Sequence, residues 1–125
     1  MKLAELEPRF IVYRKETEAE RFERGAATAG ELIETRGIPF EKAQGLWFLC
    51  PLCFEKNKGP VGTHAVEVSF ANRGVLEHQG SHNKEGKPVR WNVSGTDFAN
   101  LSLTPSVLLQ GGCNWHGFVT NGEIR

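Results

Sequence analysis

From residue 63 to the C-terminus, apolar positions recur mainly every second residue. In HAVEVSF (64–70), Ala65, Glu67 and Ser69 alternate with Val66, Val68 and Phe70. VRWNV (89–93) and LSLTPSVLL (101–109) alternate in the same way, as expected where successive side chains of a strand point to opposite faces. HGFVTNGEIR (116–125) carries Asn121-Gly122, a strong two-residue hairpin signal. The segment ANRGVLEHQGSHNKEGKP (71–88) is polar and glycine-containing and reads as a long surface loop.

Earlier in the chain the pattern is mixed. PRFIVYRK (8–15) sets Phe10 and Val12 against Ile11 and Tyr13, which predicts a strand after a proline. In residues 16–37, Thr17 followed by Glu20 is a capping-box pattern, and Phe22, Ala26, Ala29, Leu32 and Ile33 recur at helical spacing. That predicts an amphipathic helix covering one side of the core, closed by Gly37 and open to a break because Gly25 and Gly30 each cost about 1 kcal/mol relative to alanine. A helical turn around Glu41–Gln44 then leads into the apolar strand LWFLC, which delivers Cys50 to its end, and EKNKGPVG reads as a loop. The expected fold class is α+β: one domain over 1–125, with a helical segment at about 16–37 and a small, mainly antiparallel sheet in a β region at about 38–125.

Composition narrows the function classes. The 39% hydrophobic and 24% charged content is that of a globular protein, and 15 basic residues balance 15 acidic ones. That balance gives no global attraction to nucleic acid or an anionic membrane. No run approaches the roughly 18 apolar residues of a membrane helix, and MKLAELEPRF has no apolar signal core, so the expected location is the cytoplasm.

Three cysteines, an odd number, fit a disulfide framework badly and a thiolate metal site well. Cys50 and Cys53 have the C-x2-C spacing with which a tight turn aims two sulfurs at one point. Cys113 and His116 in GGCNWHG repeat the spacing behind two glycines that would let the backbone fold tightly. Together these two knuckles predict a structural zinc held by Cys50, Cys53, Cys113 and His116, since thiolates and imidazole together suit that ion. The competing accounts are cysteines buried as small hydrophobes beside a hydrogen-bonded histidine, and a redox-active CPLC pair. The redox account lacks the βαβ setting and helix start that lower a thiol's pKa.

HAVE (64–67) with CPLC superficially matches a nucleobase deaminase signature. Its histidine–glutamate spacing, its order and its proline position all disagree. His78 and His82 read as loop histidines without a role, and His64 either caps a strand or lines a pocket beside the metal. NVS and NLS match a glycosylation pattern that is empty without a secretion signal, and Trp47, Trp91 and Trp115 read as core, with Trp115 shielding the ion. SVLLQGG and SGTDFANLSLTPS offer serines and an aspartate with no base at an informative spacing.

FLCPLCF, GPVGTHAVEVSF, RWNVSG and SVLLQGGCNWHGFVTNG together resemble a group of small phage- and prophage-encoded proteins of unknown function. The resemblance runs from about residue 38 to the end and implies a zinc-binding domain of the phage-accessory kind with ligands at the same four positions. Some similar sequences carry the label ammonia monooxygenase, for which this chain has neither membrane helices nor a histidine-rich copper site. Segment 16–37 departs from the shorter N-terminus of that group. The expected function is a binding module with structural zinc, an accessory protein rather than an enzyme, acting on a host or phage protein. The alternative is a small zinc-dependent hydrolase with an open metal position near His64 or Glu67.

Overall fold

The computed structural model describes residues 1–109 and 112–125. After a 3-10 turn at Leu3–Leu6, the chain forms β1 (Arg9–Lys15), α1 (Glu18–Arg24), β2 (Glu31–Glu34), β3 (Gly45–Leu49), α2 (Pro51–Asn57) and β4 (Ala65–Ser69). Short strands follow: β5 (Asn92–Ser94), β6 (Ser102–Thr104), β7 (Val107–Leu108), β8 (His116–Gly117), β9 (Val119–Thr120) and β10 (Glu123–Ile124). The first four strands make one antiparallel sheet in the order β2-β1-β3-β4, and the last six pair as β5–β6, β7–β8 and β9–β10.

The result is a small, mainly antiparallel β domain with two short helices. The core gathers Leu3 and Leu6 from the first turn, Leu46 and Phe48 from β3, Val66 and Val68 from β4, and Val107 and Val119 from the C-terminal hairpins. Phe10 stacks on Phe98 with ring centroids 4.3 Å apart, joining the sheet to the loop after β5. The Asn121-Gly122 hairpin forms as its residues predict. Both have positive φ, 48° and 74°, the left-handed pair that a two-residue turn needs between twisted strands.

Segment 16–37 is a correction. Thr17 does cap a helix, accepting from the Glu20 amide, but α1 stops at Gly25, whose φ of 73° closes the last turn. Residues 31–34 then return as β2, pairing Ile33 with Tyr13 and Leu32 with Arg14. The helical spacing of Leu32 and Ile33 loses to the open edge of β1, against which residues 31–34 pair in register. Nor does α1 cover the core: none of its residues is buried, and Phe22 is 80% exposed. Charge fastens it instead. Arg14 makes a forked contact with Glu20 at 2.7 Å on both arms, and Arg24 a second one with Glu16 at 2.6 and 2.9 Å, in which Glu16 is buried.

The polar loop 71–90 is tied down more firmly than its composition suggests. The Arg90 guanidinium donates to the carbonyls of Leu76, Gln79, Ser81 and Val89, holding the loop from inside. Ser81 fastens it to the outer edge of β4, its hydroxyl donating to the Glu67 carbonyl and its amide to Ser69 Oγ. No helix among the described residues is long and apolar enough to cross a membrane.

Candidate metal centre and serine–histidine pair

β3 runs into α2 at Cys50, with Pro51 at the first helical position, where its missing amide costs nothing. Cys50 and Cys53 therefore sit three apart around a helix start, and both sulfurs face the same point. The helix start that the sequence did not reveal is present, and so is the stretch 55–57 of α2 in what reads as a loop. Burial nevertheless pushes the Cys50 thiol up to about 11, the opposite of an activated redox cysteine.

The ligand atoms of Cys50, Cys53, His64 and Cys113 all lie within 4.8 Å of one another. Cys50 Sγ is 3.4 Å from Cys113 Sγ, and His64 Nε2 is 3.3 Å from Cys113 Sγ. Bonds of about 2.3 Å to sulfur and 2.0 Å to nitrogen at tetrahedral angles set ligand separations of roughly 3.5–3.8 Å, so the donor set fits a zinc ion. His64 Nδ1 lies 3.3 Å from the Ala65 carbonyl, which accepts when Nδ1 carries the proton and leaves Nε2 bare toward the sulfurs. Burial raises the Cys113 thiol, but contacts with His64, the Trp115 amide and the other two cysteines outweigh it and bring the thiol down to about 7.

His116 is not in this cluster. The structure brings together three of the four expected ligands and adds His64 from the start of β4. Cys50 and Cys53 share a side because three residues nearly complete a helical turn. Cys113 and His116 have the same spacing but lead into a strand, where sides alternate. Trp115 and Gly117 turn inward, Trp115 meeting Phe48 edge-on at 6.0 Å, and His116 turns outward. Of the two glycines before Cys113, Gly111 lies outside the described residues.

On that outward face His116 meets a residue the sequence reading set aside. β7 and β8 pair Val107 with Gly117 and Leu108 with His116, and the Leu109 amide donates to the Trp115 carbonyl. Alternation then places Ser106, Leu108, His116 and Phe118 on one face. Ser106 Oγ lies 2.8 Å from His116 Nε2. Phe118 stacks alongside the imidazole at 6.2 Å and 30°. The ten-residue separation has no motif value by itself. Reading SVLLQGGCNWHGF as a hairpin turning at its glycines would have placed the two residues on one face, diagonally across the two strands.

Ser106 also lines a cleft of about 680 Å³ with Val66 and Glu67 of β4, Ser81–Lys84 and Val89 of the long loop, Trp91, Pro105 and Val107–Leu109. The Ser106 carbonyl accepts from the Trp91 indole at 3.1 Å, anchoring the Ser106 backbone to another residue of the cleft lining. Glu67 is held by the Tyr13 hydroxyl at 2.9 Å, and burial raises that phenol well above its ordinary range. His78 contacts Glu31 at 3.2 Å, and the two ring nitrogens of His82 face the Gly80 and Glu77 carbonyls, so both histidines brace the loop.

A family model described as "Bacterial ubiquitination-like system serine protease (BubE)" matches residues 23–125. No curated protein and no solved structure matches the chain.

Proposed function

We propose that this chain, which belongs to the BubE family, is a serine hydrolase that cleaves an acyl bond in a protein of a ubiquitination-like system, with Ser106 as nucleophile and His116 as general base. The carrying observation is the 2.8 Å approach of Ser106 Oγ to His116 Nε2 at the edge of the cleft. That is hydrogen-bond reach for proton transfer from a hydroxyl that is a poor nucleophile unaided.

With Nε2 unprotonated, the Ser106 hydroxyl donates to it. As Oγ attacks the scissile carbonyl carbon, its proton passes to Nε2 and the carbonyl π electrons move to oxygen. Collapse of the tetrahedral adduct expels the amine, which takes the proton from His116 and leaves an acyl-Ser106. Water, deprotonated by His116, then attacks the acyl carbon, and Ser106 recovers its proton as the acid departs. Phe118 flanks the imidazole and Trp91 fixes the Ser106 carbonyl, so both partners are held before substrate arrives.

Cys50, Cys53, His64 and Cys113 would hold zinc as a four-ligand structural ion, whose chemistry is that of a cross-link. Cys113 lies between Ser106 and His116 in the chain and His64 immediately precedes β4, the strand that forms the opposite cleft wall, so the four ligands tie the catalytic hairpin to β4. A hydrolase with an open metal position at His64 or Glu67 is less well supported. His64 supplies the fourth donor, and Glu67 is engaged by Tyr13 outside the cluster.

The test is labelling with a fluorophosphonate, which reacts with activated serines, followed by peptide mapping. Ser106 is the expected site. Ser106→Ala and His116→Ala each abolish labelling, with losses of at least about 10³-fold in rate and little change in melting temperature. Labelling at another serine, or full labelling of His116→Ala, overturns the assignment.

A further inference from the structure

The hydrogen-bond phase of two strands says what shape of substrate the cleft accepts. The Cys50 amide donates to the His64 carbonyl and the Phe70 amide to the Gln44 carbonyl, so in the β3–β4 ladder His64, Val66, Val68 and Phe70 direct their backbone groups inward to β3. Ala65, Glu67 and Ser69 therefore direct theirs outward. Ser69 is used, its carbonyl accepting from the Trp91 amide, and the Glu67 carbonyl accepts from Ser81. The amides of Ala65 and Glu67 have no partner among the described residues.

β7 has the same phase on its own free edge. The Leu109 amide bonds to Trp115, and Val107 pairs with Gly117, so Ser106 and Leu108 point their backbone groups away from β8. The Ser106 carbonyl meets the Trp91 indole, which fixes that direction as the cleft side. The amide and carbonyl of Leu108 are unpaired among the described residues, two residues along from the nucleophile. One cleft is thus lined by the free Glu67 amide on one wall and by the free amide and carbonyl of Leu108 on the other, with Ser106 beside the second.

We propose that the cleft takes its substrate as an extended polypeptide, adding it as a strand on the Leu108 edge with the opposite side of the strand toward Glu67, and that it selects an aliphatic side chain next to the scissile bond. An extended segment is the ligand whose regularly spaced amides and carbonyls match such edges. The aliphatic preference comes from Val66, Val89, Trp91, Pro105 and Leu109 around the nucleophile. A compact small-molecule ester or a helical segment would leave the strand edges unpaired.

This inference rests on the serine-hydrolase reading, and the experiment separates the two. An internally quenched octapeptide library is digested with the full chain, and the best-cleaved sequence is resynthesised with a single N-methyl group at each backbone amide in turn. Methylation at alternate positions beside the scissile bond is expected to lower kcat/KM at least tenfold while the positions between lose less than about threefold, because one set of amides faces the free Leu108 carbonyl and the other faces the Glu67 carbonyl, which already accepts from Ser81. Leu108→Pro, which deletes a free edge amide without breaking the β8 ladder, is expected to lose at least tenfold on the unmethylated peptide with its melting temperature retained. Fluorophosphonate labelling of Ser106 with no octapeptide cleaved, or with a scan showing no alternation, overturns the extended-strand proposal and leaves the hydrolase standing. Absence of Ser106 labelling removes both.

Discussion

Gly117→Ala couples the fold to the chemistry in one methyl group. Gly117 lies on the inner side of the β7–β8 hairpin, directly after His116. A Cβ built there meets the Arg125 carbonyl oxygen at 2.5 Å and Trp115 Cζ2 and Cε2 at 2.6 and 3.0 Å. Ordinary contact begins at 3.4 Å, so strand and ring must separate by roughly 0.9 Å. Neither can yield freely. Arg125 exchanges two backbone hydrogen bonds with Phe118, and Trp115 is wedged against Phe48. Overpacking of this kind costs about 1–3 kcal/mol. At the unfolding entropy typical of a chain of this length, that lowers Tm by about 4–11 °C.

The catalytic effect should be larger than the stability effect. A shift of about 1 Å in β8 carries His116 with it and stretches the 2.8 Å contact to Ser106, and misplacement on that scale costs about 10²-fold in rate. Thermal melting and the rate of fluorophosphonate labelling are measured on the same preparation at a temperature where both proteins are folded. An unchanged Tm refutes the packing argument. A lowered Tm with a labelling rate within about twofold of the parent refutes the claim that the inner face of the hairpin positions the histidine.

Two further outcomes follow from other parts of the molecule. Cys113→Ser is expected to lose bound zinc, read by elemental mass spectrometry, and to melt at least about 10 °C lower, because site formation and folding are coupled; one full equivalent of zinc with an unchanged Tm removes the metal-centre reading. The Arg24 guanidinium beside Glu16, helped by the Gly30 amide, holds the Glu16 carboxyl down to about 2. Since the folded value lies below the ordinary 4.5, the contribution of this pair is complete above about pH 4.5 and fades as pH falls toward 2. Glu16→Gln should therefore flatten the acid limb of urea midpoint against pH, and an identical slope in the variant would show that the pair does not carry it.

The sequence by itself determined the local chemistry. Alternation identified β1 and β4 as strands, an apolar run identified β3, and Asn121-Gly122 specified a two-residue hairpin, because those features depend on the pleat, on burial and on positive φ within a few residues. The cysteines pointed to a metal by their number and spacing, and three of the four expected ligands meet in one cluster. The motifs that resemble the phage-encoded group all lie within residues 23–125, the span of the family match, although the family's described activity was not legible in them.

Tertiary structure decided the rest. Whether Leu32 and Ile33 continue a helix depended on a free edge of β1 lying within reach, which no local pattern encodes. Identical spacings of three gave opposite outcomes at Cys50–Cys53 and Cys113–His116, because one falls on a helix start and the other leads into a strand. That difference left His116 out of the candidate metal cluster, in which His64, 49 residues away in the chain from Cys113, is the fourth member, and set His116 beside Ser106. A cross-strand diagonal belongs to the register of a hairpin, and register is fixed by what the inner face buries: Val107, Trp115 and Val119 here.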